Sequence, residues 1–169
     1  LCVMSRSDNS AGLILASSPV FKQVFCKKNV SRSYDLPFDL KTRKFNSYVA
    51  KKQGFPTDPD FIASIESWAK RTLIVPPHMN AYIQVNMEIQ KVFQEFAAPD
   101  DIFPYSIDES FIDLTSSLNY FIPDSSLSRK EKLDLISARI QKKIWQETGI
   151  YSTIGLSNAN PLLAKLALD

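Results

Sequence analysis

Tyr105-Ser106-Ile107-Asp108-Glu109-Ser110-Phe111-Ile112-Asp113-Leu114 is the stretch on which the reading of this chain turns. Two apolar runs, Ile102–Ile107 and Ser110–Thr115, flank a pair of adjacent carboxylates. The pattern predicts two strands paired as a hairpin, with Asp108 and Glu109 at the break. Carboxylates held out of water are costly unless cations or metals meet them, and a hairpin tip at a sheet edge is a place to hold both. Neighbours on a regular strand point to opposite faces, so bringing both to one cation requires the backbone to turn here. Oxygen ligands of this kind suit Mg²⁺, which takes one or two protein carboxylates plus substrate phosphates. By spacing alone the same residues also read as a plain acidic turn between two strands. Asp113 falls back into the strand alternation and reads as structural.

Working outward, Tyr82, Val85, Ile89, Val92, Phe93 and Phe96 recur at helical spacing and predict one amphipathic helix over 78–96. Downstream, Ser128-Arg129-Lys130-Glu131 is a capping box. Leu133, Ile136, Ile140 and Ile144 follow it on one face, and Gly149 ends the helix. Tyr151–Leu156 reads as a further strand, and Pro161 opens a last helix. From residue 78 the order is α-β-β-α-β; one strand in front completes βαββαβ, a ferredoxin-like α+β frame. The chain starts as if entered within a strand and stops within a helical pattern, so the expectation is an internal piece lacking that first strand.

Upstream of Pro76-Pro77 the signals are shorter. Val3–Ser5 and Leu13–Ala16, separated by the polar turn 6–12, predict a hairpin. Ser18-Pro19 starts a helix to about Cys26. A short helix is expected near Lys44–Lys52, and Asp58-Pro59-Asp60 opens one that ends near Arg71. Leu73–Val75 reads as a strand stopped by prolines. The expected division is a small mixed α/β unit over 1–75 and a second unit over 76–169.

Composition limits the function classes. With 169 residues, 44% hydrophobic and 22% charged, the chain can bury one core or two small ones. No apolar run approaches the ~20 residues of a membrane helix, and the start shows no signal-peptide pattern. Cys2 and Cys26 lack zinc or redox spacing and read as two buried thiols in a reducing cytosol. His78 is the single histidine, which sets aside a zinc site and a Ser-His-Asp triad. Residues 1–60 carry ten Lys/Arg against five acids, a balance of +5; the rest carry ten against thirteen, a balance of −3. A basic half beside an acidic half fits a polyanion partner and a cation site.

Two further stretches offer phosphate chemistry. Gly155-Leu156-Ser157-Asn158-Ala159-Asn160-Pro161 runs from strand to helix start, a setting whose free backbone N–H groups suit anions. Lys165, one turn into that helix, can reach a phosphate, though an ordinary exposed helical lysine has the same pattern. Ser17-Ser18-Pro19-Val20-Phe21-Lys22 is a weaker strand-to-helix turn with a basic residue.

Together Ser106-Ile107-Asp108-Glu109-Ser110, Gly155-Leu156-Ser157 and Leu163-Ala164-Lys165-Leu166-Ala167, in this order, resemble the Y-family (translesion) DNA polymerases. The N-terminal stretch Val3–Asn9 with Ile14–Ser18 is similar to the fingers of the UmuC-like bacterial branch. The resemblance covers essentially the whole chain, most firmly 72–169. It implies fingers over 1–75, a ferredoxin-like palm over 76–169, and error-prone lesion bypass by two-metal nucleotidyl transfer within the DNA-damage (SOS) response of a bacterial cytoplasm. By the same resemblance Asp108 ligates both Mg²⁺ ions and Glu109 the one near the primer 3′-hydroxyl. Lys165 and Lys22 contact the incoming deoxynucleoside triphosphate. Implied partners are primer–template DNA, with a sliding clamp and a recombinase reached through other regions. Two departures stand out: the family's first metal-binding Asp lies upstream of Leu1, and Pro19 stands where many members have Tyr. Thumb and little finger are expected beyond Asp169, so the fragment alone is expected neither to polymerise nor to bind DNA tightly. The rival readings are a catalytically silent ferredoxin-like nucleic-acid-binding module, which needs stacking aromatics on its sheet, and a palm-type nucleotide cyclase, whose Gly-rich hairpin is here Ile-Asp-Glu.

Overall fold

The computed structural model describes residues 2–4, 12–26 and 31–168. The chain is mixed α/β and divides into two compact units, Leu1–His78 and Met79–Asp169. Most of the expected turn 6–12, with Arg6, and the basic pair Lys27 and Lys28 lie outside the described residues.

In the first unit, β1 (Cys2–Met4) pairs antiparallel with β2 (Leu13–Ser17), forming the expected hairpin, with a bulge between Val3 and Met4. β3 (Ser31–Arg32) adds to β2, and β4 (Ile74–Val75) adds to β1 in parallel, giving the order β3-β2-β1-β4. A parallel neighbour demands a long crossover, and three helices lie in it: α1 (Pro19–Val24), α2 (Ser47–Lys52) and α3 (Pro59–Arg71). Each starts at a side-chain cap. The Phe21 N–H donates to Ser18 Oγ (3.3 Å), the Val49 N–H to Asn46 Oδ1 (3.2 Å) and the Phe61 N–H to Asp58 Oδ1 (2.9 Å). The other end of α3 is covered by Arg43, whose guanidinium donates to the carbonyls of Ala69 (3.2 Å), which also accepts from the Thr72 N–H, and Thr72 (3.4 Å). The core is Ile14, Phe21, Phe25, Leu36, Phe38, Ile65 and Ala69. Cys26, expected to be buried, is exposed. Phe25 takes the inward position (1% exposed), and a positive φ of 49° at Cys26 turns the chain away just past α1.

The second unit begins with α4 (Met79–Gln94). Its stripe buries only toward the C-terminal end, where Val92 is enclosed and Ile89 and Phe93 pack on the core, while Tyr82 is exposed. α4 packs on α6 (Arg129–Thr148), whose Ile136, Ile140 and Ile144 are all 2% exposed or less. Both signals read for α6 are present. Ser128 and Glu131 form the capping box, and Gly149 closes the helix at φ 70°, a left-handed conformation glycine adopts without a Cβ penalty. A short helix that sequence periodicity does not announce, α5 (Leu118–Phe121), adds Leu118 and Ile122 to the core.

The hairpin forms but is shorter than expected: β5 (Ile102–Pro104) pairs with β6 (Ser110–Ile112). One in-register cross-strand bond follows Ile112 before Asp113 turns the chain out of the ladder. Its N–H donates to the Asp101 carbonyl (2.8 Å), and its Oδ1 accepts from the Thr115 N–H (2.8 Å). The Thr115 hydroxyl and N–H hold the Asp113 carboxyl below the usual carboxylate range, opposed by slight burial and aided by Arg129. A depressed folded-state pKa contributes stability that is present above the ordinary value of about 3.9 and lost as pH falls through the lowered one. Thr115→Val is therefore expected to move the Asp113 titration, followed by NMR, up toward the ordinary range. The part of the stability difference that comes from Asp113 should be present at pH 7 and vanish once its carboxyl is protonated in both proteins; the lost Arg129 bond to the Thr115 hydroxyl remains at every pH.

The strand expected over 151–156 does not form among the described residues. A strand exists only through a ladder partner, and no described strand pairs with this segment. It is tied down by side chains instead: the Gln141 amide donates to the Ser152 carbonyl (2.8 Å), and Ile154 packs against the core. The last helix, α7 (Pro161–Leu168), follows.

Candidate active site at the hairpin tip

The tip of the β5–β6 hairpin turns at the carboxylate pair, with Asp108 in the bend and Glu109 at its end. The N–H groups of Tyr105 and Ser106 both donate to the Glu109 carbonyl (3.0 Å each), so the backbone bends through Ser106, Ile107 and Asp108 and the two carboxylates leave the regular pleat. The Ser106 hydroxyl donates to Asp108 Oδ1 at 2.7 Å and fixes that side chain over its own turn. Asp108 is exposed and Glu109 half-buried. Tyr105 stands edge-on to Phe111 with ring centroids 5.6 Å apart, bracing the base of the tip.

Lys165 comes from 56 residues further along the chain. Its Nζ donates to Glu109 Oε1 (2.9 Å) and Oε2 (3.1 Å) and lies 5.6 Å from the centre of the Tyr105 ring. This pair is partly exposed, a setting in which an ion pair contributes only about 0.2–1 kcal/mol. Lys165 can therefore exchange Glu109 for a stronger anion at small cost.

The position of Lys165 is set by a close approach. Gly155 lies against the backbone of α7: a Cβ there would overlap the Ala164 carbonyl oxygen and sit 3.1 Å from Leu168 Cβ. The turn between them differs from the expected anion cradle. Ser157 Oγ accepts from the N–H groups of Ala159 (3.0 Å) and Asn160 (3.3 Å), and Asn160 Oδ1 accepts from Leu163 (3.0 Å). Side chains already use the amides that an anion needs. Lys22 belongs to the first unit, half-buried in the last turn of α1.

Sequence reasoning missed Asn86 and Gln90 on α4. The Asn86 amide donates to the Ile107 carbonyl and the Gln90 amide to Ser110 Oγ, each at 2.7 Å. The available signal was two amides spaced i,i+4 beside an apolar stripe. Tip, α7 and the 150–160 segment together line a cleft of about 960 Å³.

The donor set fits a divalent cation. Two acceptor-only carboxylates stand on one turn, and the ammonium of Lys165 already occupies a cation position on Glu109. No cluster of three or more metal-ligating side chains occurs among the described residues.

The tip is a turn carrying adjacent carboxylates, with a lysine from a later helix folded onto one of them, and comparison with known proteins narrows the class. Residues 45–169 match the model of the impB/mucB/samB family, and the chain belongs to that family, a group of Y-family polymerases. It is 30% identical over its whole length to UvrX of Bacillus subtilis (strain 168), provisionally named a UV-damage repair protein, and covers 30% of it. It is 32% identical over 121 residues to DNA polymerase IV 2 of Halalkalibacterium halodurans, covering 72% of this chain and 26% of that one. Among solved structures, the insertion ternary complex of Dbh DNA polymerase superposes with a TM-score of 0.58 at 19% identity, covering 98% of this chain and 36% of that one; a likeness at that identity concerns the fold. The chain spans 30% and 26% of the length of these two curated relatives. Among the described residues no helix is long and apolar enough to cross a membrane.

Proposed function

We propose that this chain supplies fingers and palm to a DNA-directed DNA polymerase of error-prone lesion bypass, with residues 1–75 as fingers and 76–169 as a ferredoxin-like palm. The observation that carries the reading is the turned tip, where Asp108 and Glu109 stand together with Lys165 on Glu109, in a chain of the impB/mucB/samB family. Asp108 would hold two Mg²⁺ ions and Glu109 the one nearer the primer 3′-oxygen. Bound there, Mg²⁺ supplies Lewis acidity and neutralises phosphate charge. The chain's own residues do the rest. Ser106, donating to Asp108 Oδ1, orients that side chain, and the turn closed on the Glu109 carbonyl holds both residues before substrate arrives, which is preorganisation rather than induced fit.

Lys165 shields Glu109 from repelling a polyanion, then passes to the triphosphate of a deoxynucleotide when that stronger partner enters; Lys22 is assigned to the same phosphates. The basic balance of residues 1–60 suits primer–template DNA. The fragment alone is expected to be inactive. Sliding clamp and recombinase are proposed partners of the whole protein, and the cytoplasm its place.

Primer extension by the full-length protein tests this. With Mg²⁺, four deoxynucleoside triphosphates and a primed template, extension is expected to follow the template and to stop on chelation. A folded full-length protein that extends no primer with Mg²⁺ or Mn²⁺ sinks the reading and favours a non-catalytic nucleic-acid-binding module.

A further inference from the structure

We infer that Asn86 and Gln90 are positioning residues through which α4 fixes the Asp108–Glu109 cation site, an inference that rests on the metal-site reading above. Asn86 and Gln90 lie one helical turn apart and so share a face of α4. Their acceptors, the Ile107 carbonyl and Ser110 Oγ, are the residues immediately before and after the two carboxylates. The span from Ile107 to Ser110 is therefore held at both ends by one rigid element.

Besides these two bonds, the exchangeable Lys165–Glu109 pair (2.9 Å) joins the tip to α7. The bonds within the tip, from Tyr105 and Ser106 to Glu109 and from Ser106 to Asp108, close the turn upon itself but do not tie it to the body of the unit. The hairpin has three residue pairs, the last being Pro104 with Ser110, and a ladder that short adds little rigidity of its own. Val92 anchors α4 in the core, so the helix is a fixed reference for the two amides. The Gln90 bond is partly buried, where a polar group is retained at a cost unless it is bonded, and the Asn86 bond is exposed. These residues touch no cation; they hold the turn that does.

Groups that orient metal ligands from behind typically change metal affinity or activity roughly 10- to 100-fold when removed. The test uses full-length protein carrying Asn86→Ala or Gln90→Met, with Mn²⁺ as the probe and free Mn²⁺ read by electron paramagnetic resonance. Gln90→Met keeps the volume while removing the donor, so it decides the matter if Asn86→Ala unfolds. The expected result is a Mn²⁺ affinity lowered about 10-fold or more. In primer extension the Mg²⁺ concentration for half-maximal rate should rise, while the rate at saturating Mg²⁺ falls less. A purely structural role would lower the unfolding midpoint and leave Mn²⁺ affinity unchanged, and that outcome in a folded variant overturns the inference. Asp108→Asn serves as reference. If wild type and Asp108→Asn bind Mn²⁺ alike, the site reading itself fails and the positioning role falls with it.

Discussion

Gly155→Ala in the full-length protein is expected to destabilise the second unit by about 1–3 kcal/mol and to separate Lys165 from Glu109. The single added carbon overlaps the Ala164 carbonyl oxygen and stands 3.0 Å from the Ala164 carbonyl carbon. Such a clash against backbone has no rotamer remedy. Either α7 moves away or the segment carrying Ile154 lifts off the core. Lys165 follows Ala164 in sequence, so displacement of α7 carries its ammonium off Glu109, where it now sits at 2.9 Å. Urea unfolding reads the stability loss, and faster amide exchange across 161–168 reads the undocking. The apparent KM for the incoming nucleotide should rise about tenfold, the equivalent of one lost charge-assisted hydrogen bond. Unchanged exchange and unchanged KM would show that the contact at Gly155 does not place Lys165.

The elements that sequence announces correctly are those specified by neighbours in the chain. Asp58 before Pro59, the Ser128/Glu131 box and Gly149 each satisfy backbone groups within four residues, so their structural role is written locally. Tertiary partners are not. The alternation at 151–156 marks which side chains turn inward, and Ile154 does pack on the core, but alternation cannot supply the ladder that makes a strand. Cys26 was misplaced because a buried thiol is a statistical expectation, whereas the turn at positive φ depends on how α1 ends. The turn at the carboxylate pair was legible because two acids interrupt two apolar runs, but the expected burial was not: Asp108 is exposed. What holds the tip was not legible: Asn86 and Gln90 look like solvated helix residues until the hairpin is laid beside them. Likewise Lys165 could be placed one turn into a helix, but not against Glu109.

Asp108→Asn is expected to lower the rate of primer extension by about 1,000-fold while leaving the fold intact. The substitution preserves size and keeps an oxygen to accept from the Ser106 hydroxyl, now 2.7 Å from Asp108 Oδ1, so the turn has no reason to open. What it removes is one negative charge from a two-carboxylate donor set. A divalent ion stabilises developing charge by several kcal/mol; losing about 4 kcal/mol of that at about 1.4 kcal/mol per tenfold gives the stated factor. The effect should appear at saturating nucleotide, because the role proposed for Asp108 is at the reacting centre rather than on the base. Excess Mg²⁺ should restore part of the activity if weakened affinity is the main defect.

The central claim is that the turned tip of the β5–β6 hairpin is the cation site of a templated nucleotidyl transferase. Its most direct test is a single-turnover primer extension by the full-length protein, wild type beside Asp108→Asn, with Mg²⁺ titrated and circular dichroism confirming that both are folded. Template-directed extension by wild type, lost about 1,000-fold in the variant, is the predicted result. Extension by a folded Asp108→Asn protein at the wild-type rate across the Mg²⁺ range would contradict it.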